Sequence, residues 1–108
     1  MPARGYPLDI DVIILFELAR GGTLSAPDLL RHAQSRMRAN GYKLSCGTWY
    51  PAIDRLYRKG YLCWKMDEQR APTHRIPKLY SLTELGVKEA RRLSTVIRNL
   101  ILSPEASA

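Results

Sequence analysis

Apolar positions along this chain fall into four helix-spaced stretches and one stretch of alternation. From about Leu8 to Arg20, Ile10, Val12, Ile13, Leu15, Phe16, Leu18 and Ala19 cover nearly every side of a helix. A helix apolar all round is buried on more than one face, which predicts packing on the chain's own core and on a second subunit. Asp9 and Asp11 suit its N-terminus, and Gly21-Gly22 ends it. The second helix starts at Ser25, a good cap, with Pro27 tolerated in the first turn. Ala26, Leu29, Leu30, Ala33 and Met37 form its stripe, with Arg31, Gln34, Ser35 and Arg38 facing away. Asn40-Gly41 stops it.

In the third helix, Trp49, Ala52, Ile53 and Leu56 fall at i, i+3, i+4 and i+7 and form one apolar face. Ser45 is the expected cap and Gly60 the stop. Pro51, Asp54 and Arg58 lie opposite, flanked by Tyr50 and Arg55. Then Tyr61, Cys63 and Lys65 alternate with Leu62, Trp64 and Met66, a period of two that predicts a strand. Asp67 to Pro77 reads as a hairpin loop, and Lys78 to Thr83 as the return strand. A fourth helix follows Thr83, with Ala90, Leu93, Val96, Ile97, Leu100 and Ile101 on its apolar side and Lys88, Arg91, Arg92 and Arg98 mostly elsewhere. It comes after the small domain is complete, so its stripe needs a further surface.

Helix, helix, helix, hairpin and helix make a mainly α fold with a small β-hairpin: a winged helix-turn-helix plus a C-terminal dimerisation helix. The expected organisation is a flexible N-terminal arm at 1–7, the winged domain at 8–83, the dimerisation helix at 84–102 and a flexible tail at 103–108.

Charge adds a partner class. Among 108 residues, 17 are Lys or Arg and 10 are acidic, giving a net charge of +7, and 12 of the basic residues are arginine. That balance favours a polyanion, nucleic acid before membrane. A narrow core stripe backed by tyrosine and arginine suits insertion into a major groove. Thr48, Tyr50, Pro51, Arg55 and Arg58 are the candidate DNA contacts on the third helix. Arg70, His74 and Arg75 at the wing tip and Lys78 near its base complete the set. Trp49 reads as core by its helix phase, whereas Trp64 fits core or solvent. Cys46 and Cys63 read as buried or semi-buried thiols in a reduced, cytoplasmic protein. The two cysteines and the widely spaced His32 and His74 make no zinc pattern, and no nucleophile constellation or phosphate-cradling loop is visible. The expectation is a protein that is not an enzyme and carries no cofactor or metal. The start of the chain carries no secretory pattern, and no apolar run approaches the ~20 residues of a membrane span.

The third-helix stretch Ser45-x-Gly47-Thr48-x-Tyr50-Pro51, followed by Arg55-Leu56 and Gly60-x-Leu62, resembles the recognition-helix signature of PadR-like winged-helix transcriptional regulators. Lys78-Leu79-Tyr80-Ser81-Leu82-Thr83-Glu84-Leu85-Gly86 resembles the same family's second wing strand and the start of its last helix. The resemblance covers about residues 8–100. It departs at Ser25-Ala26-Pro27-Asp28, at Trp49 and at Thr73 to Pro77. It implies a dimeric, sequence-specific binder of double-stranded DNA, usually a repressor, acting on an inverted-repeat operator. It also implies dimerisation through the first and last helices, which points to Val12, Phe16, Leu93, Val96, Ile97, Leu100 and Ile101. A winged helix that binds another protein without reading DNA is the alternative, and an unidentified small-molecule effector is a third possibility.

Overall fold

The computed structural model describes residues 9–44, 47–69 and 78–102, without the side chains of 101 and 102. Its elements are α1 (Ile10–Gly21), β1 (Leu24–Ser25), α2 (Ala26–Ala39), α3 (Trp49–Arg58), β2 (Leu62–Met66), β3 (Lys78–Leu82) and α4 (Glu84–Leu102). The expected arm, tail, Ser45 cap, Cys46 thiol and wing-tip Arg70, His74 and Arg75 lie outside the described residues, as does the Ile101 side chain.

Local chemistry sets most helix starts. The Asp9 carboxylate accepts the Val12 N–H at 3.0 Å, so Asp9 is itself the cap and α1 begins just after it. Ser25 Oγ accepts the Asp28 N–H at 3.2 Å, as its position predicts. Such caps contribute about 1 kcal/mol each. At α3, Thr48 and not the expected Ser45 holds the cap position, because the helix starts only at Trp49, and Thr48 makes no side-chain capping bond.

Thr83 caps α4 and ties it to the end of α3. Its Oγ1 accepts the Gly86 N–H at 3.0 Å and donates to the Gly60 carbonyl at 2.6 Å. The backbones come so close here that a Cβ on Gly86 would collide with the Tyr61 carbonyl oxygen. Gly60, at φ 85°, supplies the left-handed turn that makes this approach possible.

The sheet differs from the expected hairpin by one strand. Its order is β1-β3-β2, all antiparallel, with Leu24 opposite Tyr80 and Trp64 opposite Tyr80 on the other side. β1 has two residues, too few to display a period of two, and it exists only through pairing with distant β3.

Ile14, Leu18, Leu29, Trp49 and Leu56 fill the centre, each at 0–1% exposure. The Trp49 indole N–H donates to the Ala26 carbonyl at 3.3 Å, which satisfies its polar atom inside the core. The all-round apolarity of α1 is largely absorbed within the chain itself: Val12, Ile13, Ile14, Leu15 and Leu18 are between 0% and 8% exposed. α1 also buries a charge. Glu17, at 5% exposure, accepts from Arg36 of α2, Nε to Oε2 at 2.5 Å and Nη2 to Oε1 at 3.4 Å. A buried carboxylate requires such a partner.

Candidate nucleic-acid interface

α3 divides cleanly into two faces. Trp49, Ala52, Ile53 and Leu56 are 0–3% exposed and point into the core. Thr48, Tyr50, Pro51, Asp54, Arg55, Tyr57 and Arg58 are exposed. Pro51 sits in the first turn, where its missing N–H breaks no intrahelical bond. Tyr50 and Tyr57, at 47% and 45% exposure, lie seven residues apart on the same side. Tyr57 is absent from the sequence-derived candidates, although its spacing from Tyr50 marks it.

Both arginines of this helix meet carboxylates. Arg55 reaches Asp11 of α1 through two bonds, Nε to Oδ2 at 3.2 Å and Nη2 to Oδ1 at 2.5 Å. These hydrogen bonds, then the charge of Asp11, raise the Arg55 pKa above its ordinary value. Arg58 lies 2.9 Å from Asp54 one turn back, with both side chains more than half exposed. An exposed i,i+4 pair contributes only about 0.3–0.5 kcal/mol, so Arg58 is readily redirected.

The wing stands beside α3. Lys78 lies with its Nζ 4.5 Å from the centre of the Trp64 ring, a cation–π contact that steers the ammonium along the strand pair. Of the two placements open to Trp64, core or solvent, the surface is the one it takes, at 36% exposure. Tyr80, opposite Trp64, is half-buried near α3. Burial first, then Asp54 and Tyr57, pushes its phenol pKa up. Cys63 is exposed on the edge strand β2, contrary to its reading as a covered thiol. Only Leu62 of β2 is buried, because the strand leaves the core after its first residue. The Cys63 sulfur sits 3.4 Å from Ser81 Oγ.

A second surface lies away from α3. Phe16 and Ala19 of α1, Leu82 of β3 and Val87, Ala90 and Ser94 of α4 line a groove of 600 Å³, flanked by Arg20 and Arg91. Beyond it along α4, Leu93 and Ile97 are half-buried, whereas Val96 and Leu100 are 39% and 60% exposed. Among the expected interface residues, Val12 stands apart: at 7% exposure it is covered within the chain itself and has little surface left for a partner.

Among the described residues no cluster of three or more potential metal ligands occurs, and no helix is long and apolar enough to cross a membrane.

No family model and no curated protein matches the chain. Solved structures do. F93 from STIV, described as a winged-helix DNA-binding protein, is 26% identical, with 85% of this chain and 90% of that chain covered and a TM-score of 0.69. F-93 of SSV1 is 22% identical over 91% and 92% of the two chains, with a TM-score of 0.64. PadR of Bacillus subtilis, solved in complex with operator DNA, is 23% identical over 77% of this chain and 45% of its own, with a TM-score of 0.64. The chain has the winged-helix fold, mainly helical with a small antiparallel sheet, and its likeness to PadR is one of fold.

Proposed function

We propose that this chain is a homodimeric, sequence-specific binder of double-stranded DNA that regulates transcription, acting in the cytoplasm as a repressor and without enzymatic activity. The observation that carries this reading is the division of α3. One stripe is fully committed to the core, and the opposite face presents Tyr50, Pro51, Tyr57 and Arg58 beside a wing. Such a helix can enter a major groove without disturbing its own packing. The similarity to F93 from STIV and to PadR supports DNA as the partner. In this reading Thr48, Tyr50, Pro51, Arg55 and Arg58 meet the duplex from α3, Lys78 meets it from the wing base, and Arg70, His74 and Arg75 from the wing tip.

The support for a dimer comes from α4. Its exposed Val96 and Leu100 continue the line of Leu93 and Ile97, and the neighbouring groove at Phe16 offers a place for a partner's apolar side chains. Residues 84–102 then serve as the dimerisation helix of a winged domain spanning 8–83. Repression asks only that the dimer occupy an inverted-repeat site.

The alternative, a module that binds protein rather than DNA, draws on one observation: Arg55 and Arg58 both already carry carboxylate partners, so the outer face of α3 is less positive than its sequence suggests. Selection of random duplex DNA on the purified protein separates the two. Enrichment of an inverted repeat is the expected result, and failure to enrich any duplex would favour the protein-binding module.

A further inference from the structure

Arg55 and Asp11 stand 44 positions apart in the chain and meet where the end of α3 passes the first turn of α1. Their two-bond fork is the geometry that an arginine also makes with phosphate. The two partners differ in freedom. Asp11 is 22% exposed and is anchored by α1, whose next residues Val12 and Ile13 are buried. Arg55 is 47% exposed and ends a long flexible stem at the edge of the DNA-facing side of α3. Asp9 adds a second negative charge on the same side. An approaching polyanion therefore competes with a fixed carboxylate for a movable guanidinium.

We infer that Asp11 sets the DNA affinity of this protein: it holds Arg55 in the free chain, and duplex binding requires Arg55 to exchange the Asp11 carboxylate for a backbone phosphate. The inference rests on the DNA-binding reading above. Giving up the carboxylate offsets part of the gain from the phosphate. That offset is the same for every sequence, so Asp11 lowers affinity uniformly and leaves base preference unchanged.

Fluorescence anisotropy with labelled random-sequence duplex tests this on the full chain. The variants are Asp11→Asn, Arg55→Ala and the double variant. Glu89→Gln serves as a charge-matched control, since Glu89 pairs with Arg92 on α4. Asp11→Asn keeps the Asp9 cap. It should bind roughly two- to five-fold more tightly than the control variant, the range set by an exposed ion pair. Arg55→Ala should weaken binding and make the slope of log K against log salt shallower by about 0.9, as expected when one fewer phosphate is neutralised. In the Arg55→Ala background, Asp11→Asn should add no more than Glu89→Gln does. An Asp11→Asn gain no larger than the control's, or one that persists without Arg55, would show only a change in net charge and overturn the inference. An unchanged salt slope in folded Arg55→Ala would make the pair a brace between α1 and α3, with the same consequence. Absence of duplex binding by the wild type would overturn the DNA reading and this inference with it. Wild-type binding without an Arg55-dependent gain would overturn this inference alone.

Discussion

α1 and α4 lie against each other, and both owe their place to apolar spacing, but they end with different surfaces. α1 buries Ile14, Leu15 and Leu18 at 0–2% exposure. α4 buries Ala90 at 5% and leaves Val96 and Leu100 at 39% and 60%. Sequence apolarity alone makes α1 the better candidate for a surface that needs a second subunit, since α1 is apolar on more sides. The difference is position in the fold: α1 is surrounded by α2, α3, α4 and β3, whereas the far half of α4 runs beyond the domain. An all-round apolar helix therefore does not by itself demand a second subunit. A terminal helix with an uncovered stripe is the stronger argument for one.

The largest effect is expected in α1. Ile14→Ala should cost ~2–5 kcal/mol of stability in urea denaturation, through the apolar burial removed and the cavity left behind. A cost near zero would mean that α1 is not the central helix. Next comes the junction where α4 joins the domain. Gly86→Ala should cost ~1–3 kcal/mol, because the new methyl meets the Tyr61 carbonyl. An unchanged midpoint would show that α4 is free to shift.

The outer half of α4 should behave in the opposite way. Val96→Glu with Leu100→Glu should leave the chain folded by circular dichroism and convert the proposed dimer to a 12.3 kDa monomer in sedimentation equilibrium. A persisting dimer would move the interface elsewhere. The smallest effect on stability is expected at Arg58→Ala, within about 0.5 kcal/mol. The same change should cost ~1–3 kcal/mol of affinity for the selected duplex if Arg58 pairs with a base edge.

Much of the fold is legible in local signals. The Ser25 and Thr83 caps, the α3 stripe and the alternation of β2 each depend on neighbours within a few residues. What is not legible depends on distant partners. β1 becomes a strand only against β3. Glu17 is tolerated in a buried run because Arg36 arrives from 19 residues away, and Arg55 is restrained by Asp11 from 44 residues away. Among the candidate contacts, the α3 residues share one exposed face, whereas Lys78 lies on the strand pair, packed over Trp64. Tyr57 is marked by its heptad spacing to Tyr50. The exposure of Cys63 has no such mark, since alternation gives two faces without saying where a strand leaves the core.

Hydroxyl-radical footprinting of the wild-type protein on the selected duplex tests the central claim most directly. Two α3 helices related by a two-fold axis should enter successive major grooves, ~34 Å apart. The predicted result is two symmetric protected patches with centres ~10 base pairs apart, or a multiple of that spacing. A single asymmetric patch, or no protection at concentrations where the protein is folded, would contradict a dimeric DNA reader.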